Sequence, residues 1–249
     1  MIPPLANWDR DCPFDPELET LEAFPHHPFQ IIQNKTGYRF SADAYLLAHF
    51  IGENEQARKP LPANILDLGT GCGIISLLLA ATFPKARLTA VEAQESLLRL
   101  AQRNISLNKL NERISVLFNK VSEAGELADL GPGQFDLICS NPPFYAPSSG
   151  RLNLSDEKLH ARHELSGNLH AFIRCARNHL ISRGSFYFIY PVKRLSDAFS
   201  LLQANQLCPH VMQFVHGNEQ LPAKLVLVKA VRGEHRELKI KPPIFLKNF

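Results

Sequence analysis

Four consecutive residues, Asn141, Pro142, Pro143 and Phe144, have the types and order needed to present a flat nitrogen atom for alkylation. The lone pair of an exocyclic or amide nitrogen is delocalised, so such a nitrogen is a poor nucleophile. The side-chain oxygen of Asn141 and the backbone carbonyl of Pro142 can accept its two N–H bonds and favour a pyramidal nitrogen whose lone pair faces a methyl sulfonium. The prolines restrict the backbone, and the Phe144 ring can stack on a flat substrate. The alternative is a proline-rich strand exit that only interrupts a sheet.

A second candidate site is the glycine-rich run that follows the apolar segment Ile65–Leu68. Glycines at a strand-to-helix turn permit a sharp bend and let a ligand approach the backbone closely. The dinucleotide-binding pattern would place glycine at position 74, where this chain has isoleucine. Asp67 suits a ligand that carries an ammonium group and would repel a pyrophosphate. The residues of this run predicted to contact a cofactor are Asp67, Gly69, Thr70, Gly71 and Gly73. A turn that binds nothing is the alternative.

Glu92, followed by Ala93, ends a second apolar strand and lies 19 residues beyond Gly73. An acidic side chain at this place can accept hydrogen bonds from both hydroxyl groups of a ribose. An exposed carboxylate at a strand end is the alternative. Its spacing from the glycine turn favours the ribose-binding role.

The segments around these motifs alternate between strand and helix. The predicted strands are Phe29–Gln33, Ile65–Leu68, Leu88–Val91, Ile114–Phe118, Phe135–Cys139 and Ser185–Tyr190, and the predicted helices are 42–52, Ile74–Thr82, Gln94–Leu107, Val121–Leu127, Leu169–Leu180 and Leu195–Ala204. This alternation indicates an α/β fold with a mostly parallel sheet and helices on both faces. Two final β-rich runs, Val211–His216 and Leu225–Val231, flank a short polar turn and predict an antiparallel hairpin.

Composition excludes several classes of protein. With 45% hydrophobic and 20% charged residues, the chain is typical of a globular domain, and no apolar run is long enough for a membrane span. The N-terminus lacks the basic and apolar regions of a secretory signal. Five scattered cysteines without a Cys-x-x-Cys pair predict reduced thiols, no disulfide framework and no metal site. We therefore expect a cytoplasmic protein.

The chain has a net charge of +3, and its charged residues are unevenly distributed along the sequence. Residues 1–28 form an acidic leader that is predicted to be irregular, and residues 29–60 a strand-and-helix extension. Residues 61–232 form the predicted core domain. Residues 233–249 form a basic tail that either meets a polyanion or stays solvated.

Together, the glycine turn, Glu92 and Asn141–Phe144 resemble the amino-group class of S-adenosylmethionine (SAM)-dependent methyltransferases, over roughly residues 60–232. The stretches Gln33–Ala48 and Ala161–Glu164 are similar to the bacterial tRNA1(Val) adenine-37 N(6)-methyltransferases in particular. This resemblance implies a Rossmann-like fold with a mostly parallel, seven-stranded sheet, SAM as cofactor, and methylation of an exocyclic amino group of adenine in a tRNA anticodon loop.

The resemblance also implies further contact residues. Members of the family place an acid after the third strand to bond the adenine of SAM, but this chain has Asn119, Lys120 and Val121 there. We therefore expect Asn119 or backbone groups near Val121 to hold the adenine. The remaining residues expected to contact the cofactor are Ala93, Lys120 and Asn141. A polar loop, residues 145–165, follows the Asn-Pro-Pro-Phe motif and is predicted to clamp the substrate. The residues expected to contact substrate are Lys35, Arg39, Asp43, Arg162, His163, Lys239 and Lys241.

Other functions stay open at this point. Many adenine-specific members carry Tyr at the position of Phe144, whereas Phe is usual among rRNA guanine N(2)-methyltransferases. The motif would serve a glutamine amide equally well, although protein glutamine methyltransferases typically carry a separate helical recognition domain. A SAM-binding protein without transfer activity and a dehydrogenase are the remaining alternatives, which Asn141 and Ile74 respectively disfavour.

Overall fold

The computed structural model describes residues 14–24, 29–36, 39–142, 169–234 and 237–248. The predicted site residues Pro143, Phe144, Arg162 and His163 lie outside these ranges, as does the polar loop 145–165.

Ten strands and five helices are found in the described ranges. The strands are β1 (Glu19–Ala23), β2 (Gln30–Asn34), β3 (Asn64–Leu68), β4 (Arg87–Glu92), β5 (Ile114–Phe118), β6 (Phe135–Ser140), β7 (Leu180–Pro191), β8 (Leu207–His216), β9 (Ala223–Arg232) and β10 (Lys239–Phe245). The helices are α1 (Ala42–Glu55), α2 (Ile74–Thr82), α3 (Glu95–Leu107), α4 (including residues 169–179) and α5 (Leu195–Ala204). Most predicted elements are confirmed with small shifts in their ends.

Eight strands form the main sheet, in the order β10-β8-β9-β7-β6-β3-β4-β5. Strands β3 to β7 pair in parallel with one another, while β9 is antiparallel to both β7 and β8. The predicted fold, a mostly parallel sheet with an antiparallel hairpin, is therefore confirmed.

Both faces of the sheet are covered by apolar helix surfaces. One core contains the apolar side chains of α1, α2 and α3, and the other contains those of α4 and α5. Because β3 and β6 lie inside the sheet and are covered on both faces, they are buried along nearly their whole length. The carboxyl ends of these strands are thereby fixed by two packed layers.

The predicted helix Val121–Leu127 is wrong, since these residues form turns and irregular backbone. Ser122 accepts the backbone N–H of Gly125 through its carbonyl and that of Glu126 through its hydroxyl oxygen. Gly125 has φ of +70°, and a Cβ there would lie 2.5 Å from the backbone nitrogen of Cys175 in α4. A local hydroxyl bond and the close approach of α4 therefore replace the helix.

Two segments that the sequence predicts to be irregular or a tail contain strands. Within the leader, β1 pairs antiparallel with β2 as a separate two-stranded sheet. Within the tail, β10 pairs in parallel with β8, and this addition gives the main sheet eight strands rather than the predicted seven. Neither strand has a strong alternating pattern, and β10 contains Pro242 and Pro243, which cannot donate to a strand ladder. Prolines are tolerated there because β10 lies at the sheet edge.

The N-terminal extension is joined to the main sheet by a buried ion pair. Glu55, at the end of α1, has no exposed surface and accepts hydrogen bonds from Lys229 at 2.8 Å and from the Tyr187 hydroxyl at 2.7 Å. Burial alone would raise the pKa of Glu55, but the neighbouring Lys229 ammonium keeps that pKa below its ordinary value.

Within the ranges that the structure describes, we find no helix of the length and apolarity needed to cross a membrane.

Candidate active site

The strand register brings the predicted motifs to one edge of the sheet. Leu68, at the end of β3, lies opposite Val91 of β4 on one side and Ser140 of β6 on the other. The Ser140 hydroxyl donates a hydrogen bond of 2.9 Å to the carbonyl of Leu68. The glycine turn, Glu92 and Asn141 each follow directly on these positions. The carboxyl edge of the sheet therefore forms one candidate cleft, as expected for an open α/β sheet.

The glycine turn has the backbone that its sequence predicts. Gly69, Gly71 and Gly73 have φ of +72°, +60° and +89°, values that favour glycine strongly. Gly73 is the N-cap residue of α2. The carbonyl of Val91 accepts the N–H groups of both Gly69 and Thr70, at 2.9 and 3.0 Å. The turn is thus tied to the neighbouring strand before any ligand binds.

Asp67 lies beneath the turn and has no exposed surface. Its carboxylate accepts hydrogen bonds from the hydroxyls of Thr70 at 2.7 Å and Ser76 at 2.8 Å, and a longer one from the Cys139 thiol at 3.8 Å. Burial raises the pKa of this carboxyl group above its ordinary value. The structure therefore shows Asp67 supporting the turn through these hydrogen bonds, and its contact with a ligand ammonium group stays a prediction.

Glu92 is 6% exposed and bridges two backbone segments, the glycine turn and the residues that directly follow Glu92 itself. One carboxylate oxygen accepts the N–H groups of Ala93 and Gln94, both at 2.9 Å, and the other accepts that of Gly71, also at 2.9 Å. A carboxylate has about four acceptor positions, so the oxygen bonded to Gly71 keeps one for a ligand. The side chain is pre-oriented at the junction of the glycine turn and α3.

Asn141 follows β6 on the other side of the turn. Its side chain is half-buried and makes no hydrogen bond to any residue in the described part of the chain. Pro142 is buried, which fixes the position of the carbonyl that is predicted to act with the Asn141 oxygen. The two acceptors predicted for a substrate nitrogen therefore lie beside the glycine turn.

The segment after β5 borders the same cleft. The backbone N–H of Asn119 donates to the carbonyl of Glu92 at 3.0 Å, so the Asn119 side chain, which is half-buried, adjoins the end of β4. Lys120 is exposed, and Val121 packs against the second core. Phe118, opposite Glu92 in the sheet, is 61% exposed. Of the predicted adenine-binding residues, Asn119 is the best placed by this geometry.

The predicted substrate residues of the N-terminal extension lie at the β1–β2 hairpin and at the start of α1. Lys35 donates to the carbonyl of Pro16 at 2.7 Å, and Arg39 forms an ion pair with Glu22. Asp43 is half-buried in the first turn of α1. Both side chains thus contact the hairpin, and of the two only Arg39 is paired with an acid in the described part of the chain, whereas Lys35 is exposed.

The predicted substrate residues Lys239 and Lys241 lie on β10, at the edge of the sheet. Lys239 is exposed, whereas Lys241 donates to Glu53 of α1 at 2.5 Å. The strand register places Lys239 at the level of Cys139 along the sheet. The structure thus separates the two lysines from Asn141 by four strand spacings, or about 19 Å.

Sequence reasoning missed several polar residues that support the cleft. Ser76 and Asn104 are fully buried within helices, and Ser140 is fully buried at the end of β6. Each is a polar residue inside an apolar segment, and that signal was available in the sequence. Phe172 of α4 was missed as well, and its ring lies 3.5 Å from the place where a Cβ on Gly69 would stand. Among the described residues, no group of His, Cys, Asp or Glu is arranged to hold a metal ion.

Comparison with known proteins identifies the family. A family model described as methyltransferase small domain matches residues 44–204. A curated tRNA1(Val) (adenine(37)-N6)-methyltransferase from Pedobacter heparinus is 31% identical over 200 residues, which cover 80% of each chain. A protein of the same name from Porphyromonas gingivalis is 32% identical over 177 residues, covering 71% of this chain and 68% of the relative.

Solved structures agree on the fold. A predicted O-methyltransferase from Agrobacterium tumefaciens has a TM-score of 0.63 and 22% identity, covering 82% of this chain and 87% of that one. A SAM-dependent O-methyltransferase from Thermotoga maritima has a TM-score of 0.54 and 17% identity, covering 82% of this chain and 69% of that one. At these identities the likeness concerns the fold alone. The family model and the curated relatives go further, and the chain belongs to the methyltransferase small-domain family, together with the tRNA1(Val) (adenine(37)-N6)-methyltransferases.

Proposed function

We propose that this protein transfers a methyl group from SAM to the exocyclic N6 nitrogen of adenine 37 in tRNA1(Val), as the names of its curated relatives indicate for those proteins. One structural observation is the main support for this proposal. The Asn141 side chain is half-buried beside the glycine turn, and its amide is not engaged by any residue in the described ranges.

The chain's own residues fit SAM. Three glycines with positive φ let a ligand lie against the turn without a Cβ between them. The oxygen of Glu92 that is bonded to Gly71 keeps an acceptor position for a ribose hydroxyl. On the far side of Glu92, Asn119 offers a side-chain amide to an adenine edge. These residues would hold the cofactor, while Asp67 and Ser76 hold the turn from below.

When bound, SAM would supply a methyl group on a positively charged sulfur atom: an amine lone pair attacks the methyl carbon, the carbon–sulfur bond breaks, and the sulfur leaves as the neutral thioether S-adenosylhomocysteine. Asn141 and Pro142 prepare that lone pair. The Asn141 oxygen and the Pro142 carbonyl accept the two N–H groups of the target and withdraw its nitrogen from conjugation with the ring. The nitrogen carries an extra proton after the transfer, and this proton passes to solvent. No strong base is required, so His163 has no assigned role in the proton transfer.

The target base has to leave its stack before it reaches Asn141. A base in a single-stranded loop can be extruded for a few kcal/mol, and this favours an anticodon loop over a duplex. Phe144 would then stack on the extruded adenine. Exposed cations such as Lys239 would contact phosphates of the tRNA. A cytoplasmic location, where tRNA is found, belongs to the same proposal.

The proposal is tested with purified protein, labelled SAM and two transcripts of tRNA1(Val). One transcript carries the natural adenosine at tRNA position 37, and in the other a guanosine replaces it. Mass spectrometry of the digested nucleosides should detect N6-methyladenosine with the first transcript and no methylated nucleoside with the second. Methylguanosine in the second transcript, or label in glutamine residues of an added protein extract, would contradict the proposed target.

A further inference from the structure

The β1–β2 hairpin is attached to α3 through two asparagine side chains, one helical turn apart. Asn104 accepts the N–H of Ile32 at 2.7 Å and donates to the carbonyl of the same residue at 3.0 Å. Asn108 does the same with Gln30, at 2.9 and 2.7 Å. Each amide therefore pairs with one residue of β2, in the manner of a neighbouring strand.

The two asparagines differ in one bond. The amide nitrogen of Asn104 also donates, at 2.9 Å, to the carbonyl of Cys72, which stands between Gly71 and Gly73 in the glycine turn. The second N–H of Asn108 remains within α3, where it donates to the carbonyl of Asn104 at 2.7 Å. Asn104 has no exposed surface, and both of its amide N–H groups and its side-chain oxygen are hydrogen-bonded inside the protein.

We propose that Asn104 is a positioning residue that couples the β1–β2 hairpin to the glycine turn, so that docking of the hairpin and binding of SAM strengthen each other. This inference rests on the proposed function, because it assumes that the turn binds SAM. Gly71 lies between two fixed contacts, since its N–H donates to Glu92 and the carbonyl of the following residue, Cys72, accepts from Asn104. Loss of the second contact frees the flexible part of the turn, where glycines provide little restraint of their own.

The hairpin has a further anchor that makes such coupling effective. Arg103, next to Asn104 on α3, forms a two-pronged ion pair with Glu19 of β1, at 2.6 and 2.8 Å. Glu19 is 7% exposed, and the Arg103 hydrogen bonds hold its pKa below the ordinary value. Both strands of the hairpin are thus bound to the helix whose Asn104 reaches the turn.

The first test compares Asn104→Ala with Asn108→Ala, which removes the matching hairpin bonds and leaves the turn untouched. Titration calorimetry on the full chain should show the SAM dissociation constant raised roughly five- to ten-fold by Asn104→Ala and less than about two-fold by Asn108→Ala. The kcat of Asn104→Ala at saturating SAM should stay within about two-fold of the wild type, because the chemistry at Asn141 is unchanged. Equal changes in affinity for the two variants would overturn the inference.

A second test needs no variant and covers the case in which Asn104→Ala does not fold. Coupling between two sites is reciprocal, so SAM should slow the amide hydrogen exchange of Ile32 in β2. Peptides from the β8–β9 hairpin serve as the internal control. Unchanged exchange at Ile32 in a protein that binds SAM would overturn the coupling alone, whereas a protein that binds no SAM at all would overturn the proposed function.

Discussion

The two sides of the candidate cleft differ in how far the protein satisfies their polar groups by itself. On the cofactor side, Asp67 and Glu92 are almost fully buried, and together they accept six hydrogen bonds from hydroxyl, thiol and backbone N–H groups. On the target side, the Asn141 amide is half-buried and accepts none from the residues that the structure describes.

This difference separates binding from chemistry. A pre-oriented carboxylate costs little to organise when the cofactor arrives, so the cofactor side should determine SAM affinity. An amide that no described residue engages is available to the substrate nitrogen when it arrives, so the target side should determine the rate of transfer. Substitutions on the two sides should therefore change different constants.

The largest effect is expected at Asn141. Asn141→Ala should lower kcat by about 10²- to 10³-fold, because it removes a preorganised acceptor, and should leave the SAM dissociation constant within about three-fold of the wild type. Single-turnover methylation and SAM titration measure the two constants. Asn141→Asp keeps an acceptor oxygen and should retain more activity than Asn141→Ala. If the aspartate variant were as slow as the alanine variant, methyl transfer would depend on the side-chain N–H groups of Asn141 and not on its oxygen.

Glu92 tests the opposite side. Glu92→Ala removes the acceptor for the ribose and leaves three backbone N–H groups without a partner, so it should raise the SAM dissociation constant roughly ten- to hundred-fold. Glu95→Ala is the matched control, because Glu95 is an exposed glutamate three residues away that pairs only with Arg99 in the described structure. If Glu92→Ala weakened tRNA binding and left SAM binding intact, Glu92 would belong to the target side.

The same contrast explains what the sequence could predict. The glycines, the acid at a strand end and the Asn-Pro-Pro-Phe run are signals within short stretches of sequence. The parallel strands that carry them are predictable too, because apolar runs alternate with segments of helical periodicity. Both motifs on the cofactor side and Asn141 were therefore found at the expected edge. The burial of Asp67 was not predictable, because Ser76 and Cys139 reach it from elements that only the folded sheet brings together.

Long-range pairing accounts for the remaining differences. β1 exists because β2 and α3 give it a partner and an ion pair, and β10 exists because β8 leaves an open edge. Neither partner can be read from the local pattern of the two segments. The failed helix at residues 121–127 has the same origin, since the backbone of α4 approaches Gly125.

A smaller effect, on tRNA binding, is expected from substitutions in β10, the edge strand on the same side of the glycine turn as Asn141. Lys239→Glu should raise the tRNA dissociation constant roughly three-fold and reduce its salt dependence by about one unit of slope. Lys241→Glu is a matched comparison and should have less effect, because Lys241 is already paired with Glu53. Filter binding at several salt concentrations measures both variants. Equal and negligible effects would show that β10 does not contact the tRNA.

The smallest effect is expected for Asp67→Asn. The amide oxygen can still accept the hydroxyls of Thr70 and Ser76, so SAM affinity should stay within about three-fold of the wild type. A direct contact between Asp67 and the ammonium group of SAM would instead give a large loss of affinity in the same titration. The outcome therefore decides whether Asp67 supports the turn or binds the ligand itself.

The stability of Asp67→Asn provides an independent readout. Burial raises the pKa of Asp67, so the folded protein holds this proton more tightly than the unfolded chain does. The contribution of Asp67 to the free energy of unfolding should therefore fall as the pH rises from the ordinary aspartate pKa of about 3.9 to the folded value. The variant lacks this proton, so its stability relative to the wild type should increase over that range and then level off. Urea denaturation at a series of pH values measures the difference. A difference that does not vary with pH would contradict the raised pKa, and a stability of the variant that falls relative to the wild type as the pH rises towards about 3.9 would mean that the cleft stabilises the charged carboxylate, as a site for a cationic ligand would.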